Sequence, residues 1–102
     1  MSSVVDAHRE ALADLCRRTG AKRLDLFGSA ARTEFDPERS DLDFLVEFEE
    51  LPAAQYADAY FQLKDSLEAL FGRPVDLVTT VSLENPYFRE RVLAERQLLY
   101  AA

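Results

Sequence analysis

Residues 41–48 read Asp41-Leu42-Asp43-Phe44-Leu45-Val46-Glu47-Phe48, and their alternation decides the fold. Side chains on a strand point to opposite faces in turn, so Leu42, Phe44, Val46 and Phe48 form one apolar face, and Asp41, Asp43, Leu45 and Glu47 form the other. Upstream, residues 23–27 alternate as well, with Leu24 and Leu26 against Asp25, and the run stops at Gly28. Downstream, Val75 to Thr79 reads as a third strand and residues 97–100 as a short edge strand. Helical periodicity fills the intervals. Val4, His8, Ala11, Leu12 and Leu15 recur at helical spacing after a Ser3/Asp6 capping box, which predicts a helix over 4–19 ending at Gly20. Pro52 is placed as a first helical residue, and Tyr56, Ala57, Tyr60, Leu63, Leu67, Leu70 and Phe71 form a wide stripe that ends at Gly72. Asn85 and Pro86 open a last helix carrying Phe88, Val92 and Leu93. Residues 29–34 suit a brief helix and residues 35–40 an irregular connection.

Helices and strands in alternation require a sheet with helices on one or both faces. The link between the first two strands is short enough to make them antiparallel, whereas the long helix before the third strand permits a crossover. The expected fold is α/β (α+β): a small mixed β-sheet flanked by helices, in a single domain over 1–102.

With 102 residues the chain holds one core, and 48% hydrophobic with 11% aromatic residues supplies the material for it. A domain of this size buries only about 60 to 65% of its unfolded surface, so association with a partner would add stability. Twelve Lys and Arg against nineteen Asp and Glu give a net charge of −7. That balance repels a phosphate backbone, and no basic cluster offsets it, so direct nucleic-acid binding is not expected. Uncharged stretches fall far below the ~20 residues needed to cross a bilayer, and no signal peptide is legible, so no membrane role and a cytoplasmic location are expected. One cysteine, Cys16, and one histidine, His8, make neither an internal disulfide nor a zinc site of the usual ligands. A metal here would be held by oxygen.

Asp41 and Asp43 share a strand face with α-carbons roughly 6.5 to 7 Å apart. Two like charges so close call for a neutralising partner, a cation or a basic group, and magnesium is the natural candidate because it prefers carboxylate oxygen and shares its shell with substrate phosphates. Taken alone, D-x-D is also what a solvated strand face looks like. Gly28-Ser29 stands where a strand meets a short helix, where free amides and a hydroxyl suit phosphate oxygens, although such a pair is also an ordinary turn. Arg32, one turn on, suits either phosphate or a surface pairing with Glu34 or Asp36. Asp76 interrupts the apolar run Val75 to Val78 and so needs solvent, a cation or a partner group. Asp25 is expected at the surface, with a place among the acids as the alternative. Arg23, Lys64 and Arg73 are expected to be solvated or locally paired, and Cys16 to be packing.

Together, Gly28-Ser29-Ala30-Ala31-Arg32, then Ser40-Asp41-Leu42-Asp43, then Asp76 in a strand resemble the signature of the minimal nucleotidyltransferases, relatives of the DNA polymerase beta superfamily. The resemblance is clearest over residues 22–79 and implies a palm-like nucleotidyltransferase fold. It implies that Asp41, Asp43 and Asp76 hold two magnesium ions, that Asp76 also activates the acceptor hydroxyl, and that Gly28 and Ser29 bind phosphate with Arg32 and Ser40 beside them. Ser40 also suits a simple turn cap. Thr33 stands where the family often has glycine, a departure that touches the turn and none of the implied catalytic groups.

The implied reaction transfers AMP from ATP to a hydroxyl, with pyrophosphate leaving. Two metals about 3.5 to 4 Å apart suit such chemistry because one activates the attacking oxygen and the other stabilises the departing one. Stand-alone members of the family are commonly antitoxins of HEPN-domain ribonuclease toxins, so the resemblance also implies a HEPN toxin as partner, with a tyrosine as acceptor in a hetero-oligomer. The acidic surface is compatible with a basic partner. The stripe with Tyr56, Tyr60 and Phe61 is expected to be core, with an association surface as the alternative. A different class of reading is an antitoxin that neutralises by binding and occlusion without turnover. Modification of a small molecule such as an aminoglycoside is not expected, because enzymes of that kind in the superfamily carry an additional domain.

Overall fold

The computed structural model describes residues 7–28, 42–80, 83 and 85–102. The elements run α1 (Arg9–Thr19), β1 (Ala21–Phe27), β2 (Leu42–Phe48), α2 (Ala53–Phe71), β3 (Val75–Thr79), α3 (Pro86–Glu95) and β4 (Gln97–Ala101). The four strands form one sheet in the order β3-β2-β1-β4. β1 pairs antiparallel with both β2 and β4, and β2 pairs parallel with β3 through the α2 crossover. The mixed sheet expected from the connection lengths is therefore present.

Alternation along the strands creates two cores. Leu24 and Leu26 of β1, Leu42, Phe44, Val46 and Phe48 of β2, and Val75 and Leu77 of β3 pack against Leu12, Leu15 and Cys16 of α1 and Ala59, Leu63 and Leu67 of α2. Each fully buried leucine in this layer contributes roughly 1.5–3 kcal/mol of transfer free energy. On the other face Phe27 and Leu45 meet Val92 of α3 and Leu83, with Val78 against them. Among the described residues two helices thus cover one face and α3 part of the other.

The first helix among the described residues begins at Arg9: Ala7 and His8 form a turn and the large buried side chains of α1 start only at Leu12, while residues 4–6 of the expected helix lie outside the described residues. His8 occupies the N-cap position and packs edge-on against Phe71, with ring centroids 5.0 Å apart. The Ser3/Asp6 capping box and the brief helix and connection expected over 29–40 lie outside the described residues. Pro52 precedes α2 as its N-cap, one position earlier than expected. α1 and α2 both stop at a glycine in the left-handed region, Gly20 (φ 80°) and Gly72 (φ 65°). At α3 the Asn85 side chain accepts from the Tyr87 and Phe88 amides, with Pro86 in the first turn.

The aromatic stripe of α2 divides. Tyr56 and Tyr60 are partly buried against the main core, as the core reading expects, whereas Phe61 is 60% exposed. No helix among the described residues is long and apolar enough to cross a membrane.

Candidate active site

β1, β2 and β3 carry the candidate residues in one row across the sheet. Phe27 is the register partner of Asp43, and Asp43 is the register partner of Asp76. Adjacent strands lie about 4.8 Å apart and register partners point to the same face, so Asp43 and Asp76 project side by side. Asp43 is half-buried and Asp76 exposed, so the interruption that Asp76 makes in its apolar strand is resolved by solvent.

Gly28 ends the row. Its backbone is left-handed, at φ 72°, and a Cβ built there would collide with Oδ2 of Asp43 and sit 3.1 Å from its Cγ. Both facts require glycine: a side chain would strain the backbone and displace a carboxylate. The turn after β1 is therefore fitted to Asp43, a relationship that the sequence separation of the two residues conceals.

α2 fixes the β3 end of the row. Among the described residues β3 is an edge strand, with backbone groups on its outer side that no strand bonds. The Val75 amide donates to Oε2 of Glu68 at 3.0 Å, and the Tyr60 hydroxyl donates to the Leu77 carbonyl at 2.7 Å. The residues on both sides of Asp76 are thus tied to one helix. Lys64 stands 3.8 Å from the same Glu68 carboxylate.

Gly28, Asp43 and Asp76 line a pocket of about 220 Å³ with Phe27, Phe88, Arg91, Val92 and Glu95. Residues 88, 91, 92 and 95 recur at helical spacing, so one face of α3 forms the wall. Sequence reasoning weighs Phe88 and Val92 only as apolar positions and misses Arg91 and Glu95; the signal was that i, i+3, i+4, i+7 spacing, which acquires meaning once α3 is known to cover the acidic face. A wider, open groove of about 400 Å³ between α1 and α2 holds a single carboxylate, Asp58, and gathers no acids.

Of the predicted residues, the structure brings Gly28, Asp43 and Asp76 together. Ser29, Arg32, Ser40 and Asp41 lie outside the described residues. Among the described residues no group of three or more His, Cys, Asp or Glu side chains gathers as a metal site. The Asp43 and Asp76 pair is nonetheless a hard oxygen donor set of the kind magnesium takes, beside a backbone turn kept bare by Gly28.

Asp25 corrects the sequence reading. Instead of lying at the surface it is 1% exposed, and it does not line the acidic pocket. Nε of Arg23 donates to its Oδ2 at 2.9 Å, Nη2 of Arg23 to its Oδ1 at 3.1 Å, and Arg96 stands 3.8 Å away. The expected solvent face of β1 is covered because the end of α3 and the paired β4 bring Arg96 over it. Donating to the Asp25 carboxylate holds the Arg23 guanidinium even more firmly protonated than usual.

A family model described as nucleotidyltransferase domain matches residues 8–99. The chain belongs to this family. Protein adenylyltransferase MntA of Thermococcus cleftensis is 39% identical over 85 residues, covering 83% of this chain and 79% of that protein. A Methanocaldococcus jannaschii protein provisionally named protein adenylyltransferase MJ1379 is 35% identical over 100 residues, covering 98% and 93%. A solved structure described as a candidate minimal nucleotidyltransferase superposes with a TM-score of 0.77 at 44% identity over 95% of each chain. A chain from the complex of tri-AMPylated Shewanella oneidensis HEPN toxin with MNT antitoxin superposes at 0.66, covering 96% of this chain and 73% of that one. At 20% identity that last likeness is one of fold. The palm-like nucleotidyltransferase fold expected from the signature is the fold found.

Proposed function

We propose that this nucleotidyltransferase transfers AMP from ATP to a hydroxyl, a tyrosine of a HEPN ribonuclease toxin, and so acts as the antitoxin of that pair. The observation that carries the reading is the registered pair Asp43 and Asp76 projecting into a pocket closed by a glycine whose missing side chain leaves room for one of those carboxylates. The relatives named protein adenylyltransferase and the antitoxin complex with a tri-AMPylated toxin support it.

Each residue has a place in the reading. The Gly28-Ser29 turn receives the triphosphate through backbone amides and the Ser29 hydroxyl, with Arg32 and Ser40 at its margin. Asp41, Asp43 and Asp76 hold the divalent ions. Magnesium held there supplies the positive charge that offsets the triphosphate and the developing charge on the attacking and leaving oxygens. Asp76, at the β3 end, accepts the proton of the acceptor hydroxyl, while Asp43 at the centre orients the donor phosphate. The acceptor hydroxyl comes from the partner molecule.

The test is incubation of the purified chain with ATP, magnesium and a purified HEPN toxin, followed by intact mass measurement of the toxin. A rise by whole AMP units, together with loss of ribonuclease activity, is the expected result. Inhibition at equal stoichiometry with no mass change would instead establish occlusion without turnover.

A further inference from the structure

We propose that Phe88 is the surface on which the nucleobase of the donor nucleotide stacks, an inference that rests on the nucleotidyltransferase reading above. Phe88 lines the pocket with Gly28 and Asp43, yet 43% of it is exposed. Its ring stands edge-on to Phe27, with centroids 6.2 Å apart and planes at 79°. That T-shaped contact holds the ring from one side, and the exposure of Phe88 leaves ring surface open to a ligand. Phe27 is buried, so among the described residues of the pocket Phe88 is the aromatic ring open to a ligand.

Its place along the row selects the donor over the acceptor. Phe27 immediately precedes Gly28, the phosphate turn of the proposed site, and stands at the opposite end of the row from Asp76, two strands away. A base whose phosphates lie at Gly28 reaches Phe88 without crossing the carboxylates, and the acceptor retains the β3 side. Every base has a flat π-face, so a stacking surface holds adenine and guanine alike and adds affinity without reading hydrogen-bond patterns.

The experiment measures binding by calorimetry with magnesium present, using α,β-methylene ATP, α,β-methylene GTP and inorganic tripolyphosphate as probes on the full chain. Phe88→Ala and Phe88→Leu are expected to weaken both nucleotide analogues about tenfold and by similar factors, Phe88→Tyr to bind like the parent, and tripolyphosphate to be indifferent to all of them. The leucine variant keeps the apolar contact with Phe27, so its loss isolates stacking from packing. Nucleotide binding unchanged in both Phe88→Ala and Phe88→Leu would overturn the proposal and leave the exposed ring as part of a protein-docking face with its neighbour Tyr87. An equal loss of tripolyphosphate binding would also overturn it, since the phosphate site would then have been disturbed. A parent chain that binds no nucleotide analogue removes the nucleotidyltransferase reading itself, a result distinct from either.

Discussion

Asp43 and Asp76 are register partners on adjacent parallel strands, so two carboxylates from positions 33 residues apart stand side by side on one face of the sheet. Their α-carbons are about one strand spacing apart, near 4.8 Å, closer than neighbours on the same face of one strand. Repulsion between two such charges at the surface costs on the order of 1 kcal/mol in water. The fold carries that cost because α2 holds β3 in place through Tyr60 and Glu68.

Removing one charge should therefore separate chemistry from stability. Asp43→Asn and Asp76→Asn are each expected to reduce AMP transfer at least 100-fold, the scale of a lost general base or electrostatic contact, while the melting temperature holds or rises. Transfer is read from toxin mass and stability from thermal unfolding. Activity close to that of the parent in either variant would sink the assignment of these carboxylates.

Gly28→Ala tests the fit between the turn and Asp43. A β-carbon in the left-handed region costs roughly 1–2 kcal/mol, and here it also meets the Asp43 carboxylate. A loss of stability in that range with near-complete loss of transfer is expected. Full activity would mean that the turn does not hold Asp43 in its working position.

Tyr60→Phe deletes one hydroxyl on the face of the sheet remote from the pocket. The bond from that hydroxyl to the Leu77 carbonyl spans 2.7 Å and ties down the strand carrying Asp76. About 1 kcal/mol of stability should be lost with it. Because β3 is loosened while the phosphate turn is untouched, kcat is expected to fall several-fold with KM for ATP nearly unchanged. A change confined to KM would contradict a positioning role.

The strands and the main core were legible because one face of β1 and of β2 is apolar; the second core around Phe27 and Leu45 was not, since the chain read as holding one core and Leu45 fell among acids. Asp43 and Asp76 were legible as acids in apolar runs, but their pairing was not, since register between β2 and β3 depends on how α2 crosses over. The glycine at 28 was readable as a turn; its contact with Asp43 needed the antiparallel register of β1 and β2. Asp25 was misjudged for a related reason. An acid alternating with leucines is normally solvated, and the covering Arg96 comes from the junction of α3 and β4, 71 residues away in the chain. Arg91 and Glu95 carried no signal until α3 was placed over the acidic face.

The buried pair of Asp25 with Arg23 should show an asymmetry. Arg23 reaches solvent, with 35% of its side chain exposed, whereas Asp25 is 1% exposed. Arg23→Ala leaves a buried carboxylate with only Arg96 at 3.8 Å, and about 3 kcal/mol of destabilisation is expected. The double change Arg23→Ala with Asp25→Ala should recover part of that loss, because the stranded charge is gone. Chemical unfolding of the two single variants and the double variant measures the coupling; strictly additive effects would show that the pair contributes nothing.

Cys16 makes the fold sensitive to alkali. The side chain is fully buried among the residues of the main core, and burial pushes its thiol from the ordinary 9.0 up to about 12. The thiol is neutral when protonated, so the folded chain keeps this proton at pH values where the unfolded chain releases it. The resulting stability is complete below pH 9.0 and is lost progressively as the pH rises towards about 12. Within that window each pH unit costs the folded state up to about 1.4 kcal/mol. Urea unfolding of the parent and of Cys16→Ala at pH 7 and pH 10 isolates the effect, because every other group titrates equally in both. The parent is expected to lose about 1 kcal/mol more than the variant over that interval, and its thiol to resist aromatic disulfide reagents until the chain unfolds. Equal losses in the two proteins, or rapid labelling under native conditions, would place the sulfur in contact with water.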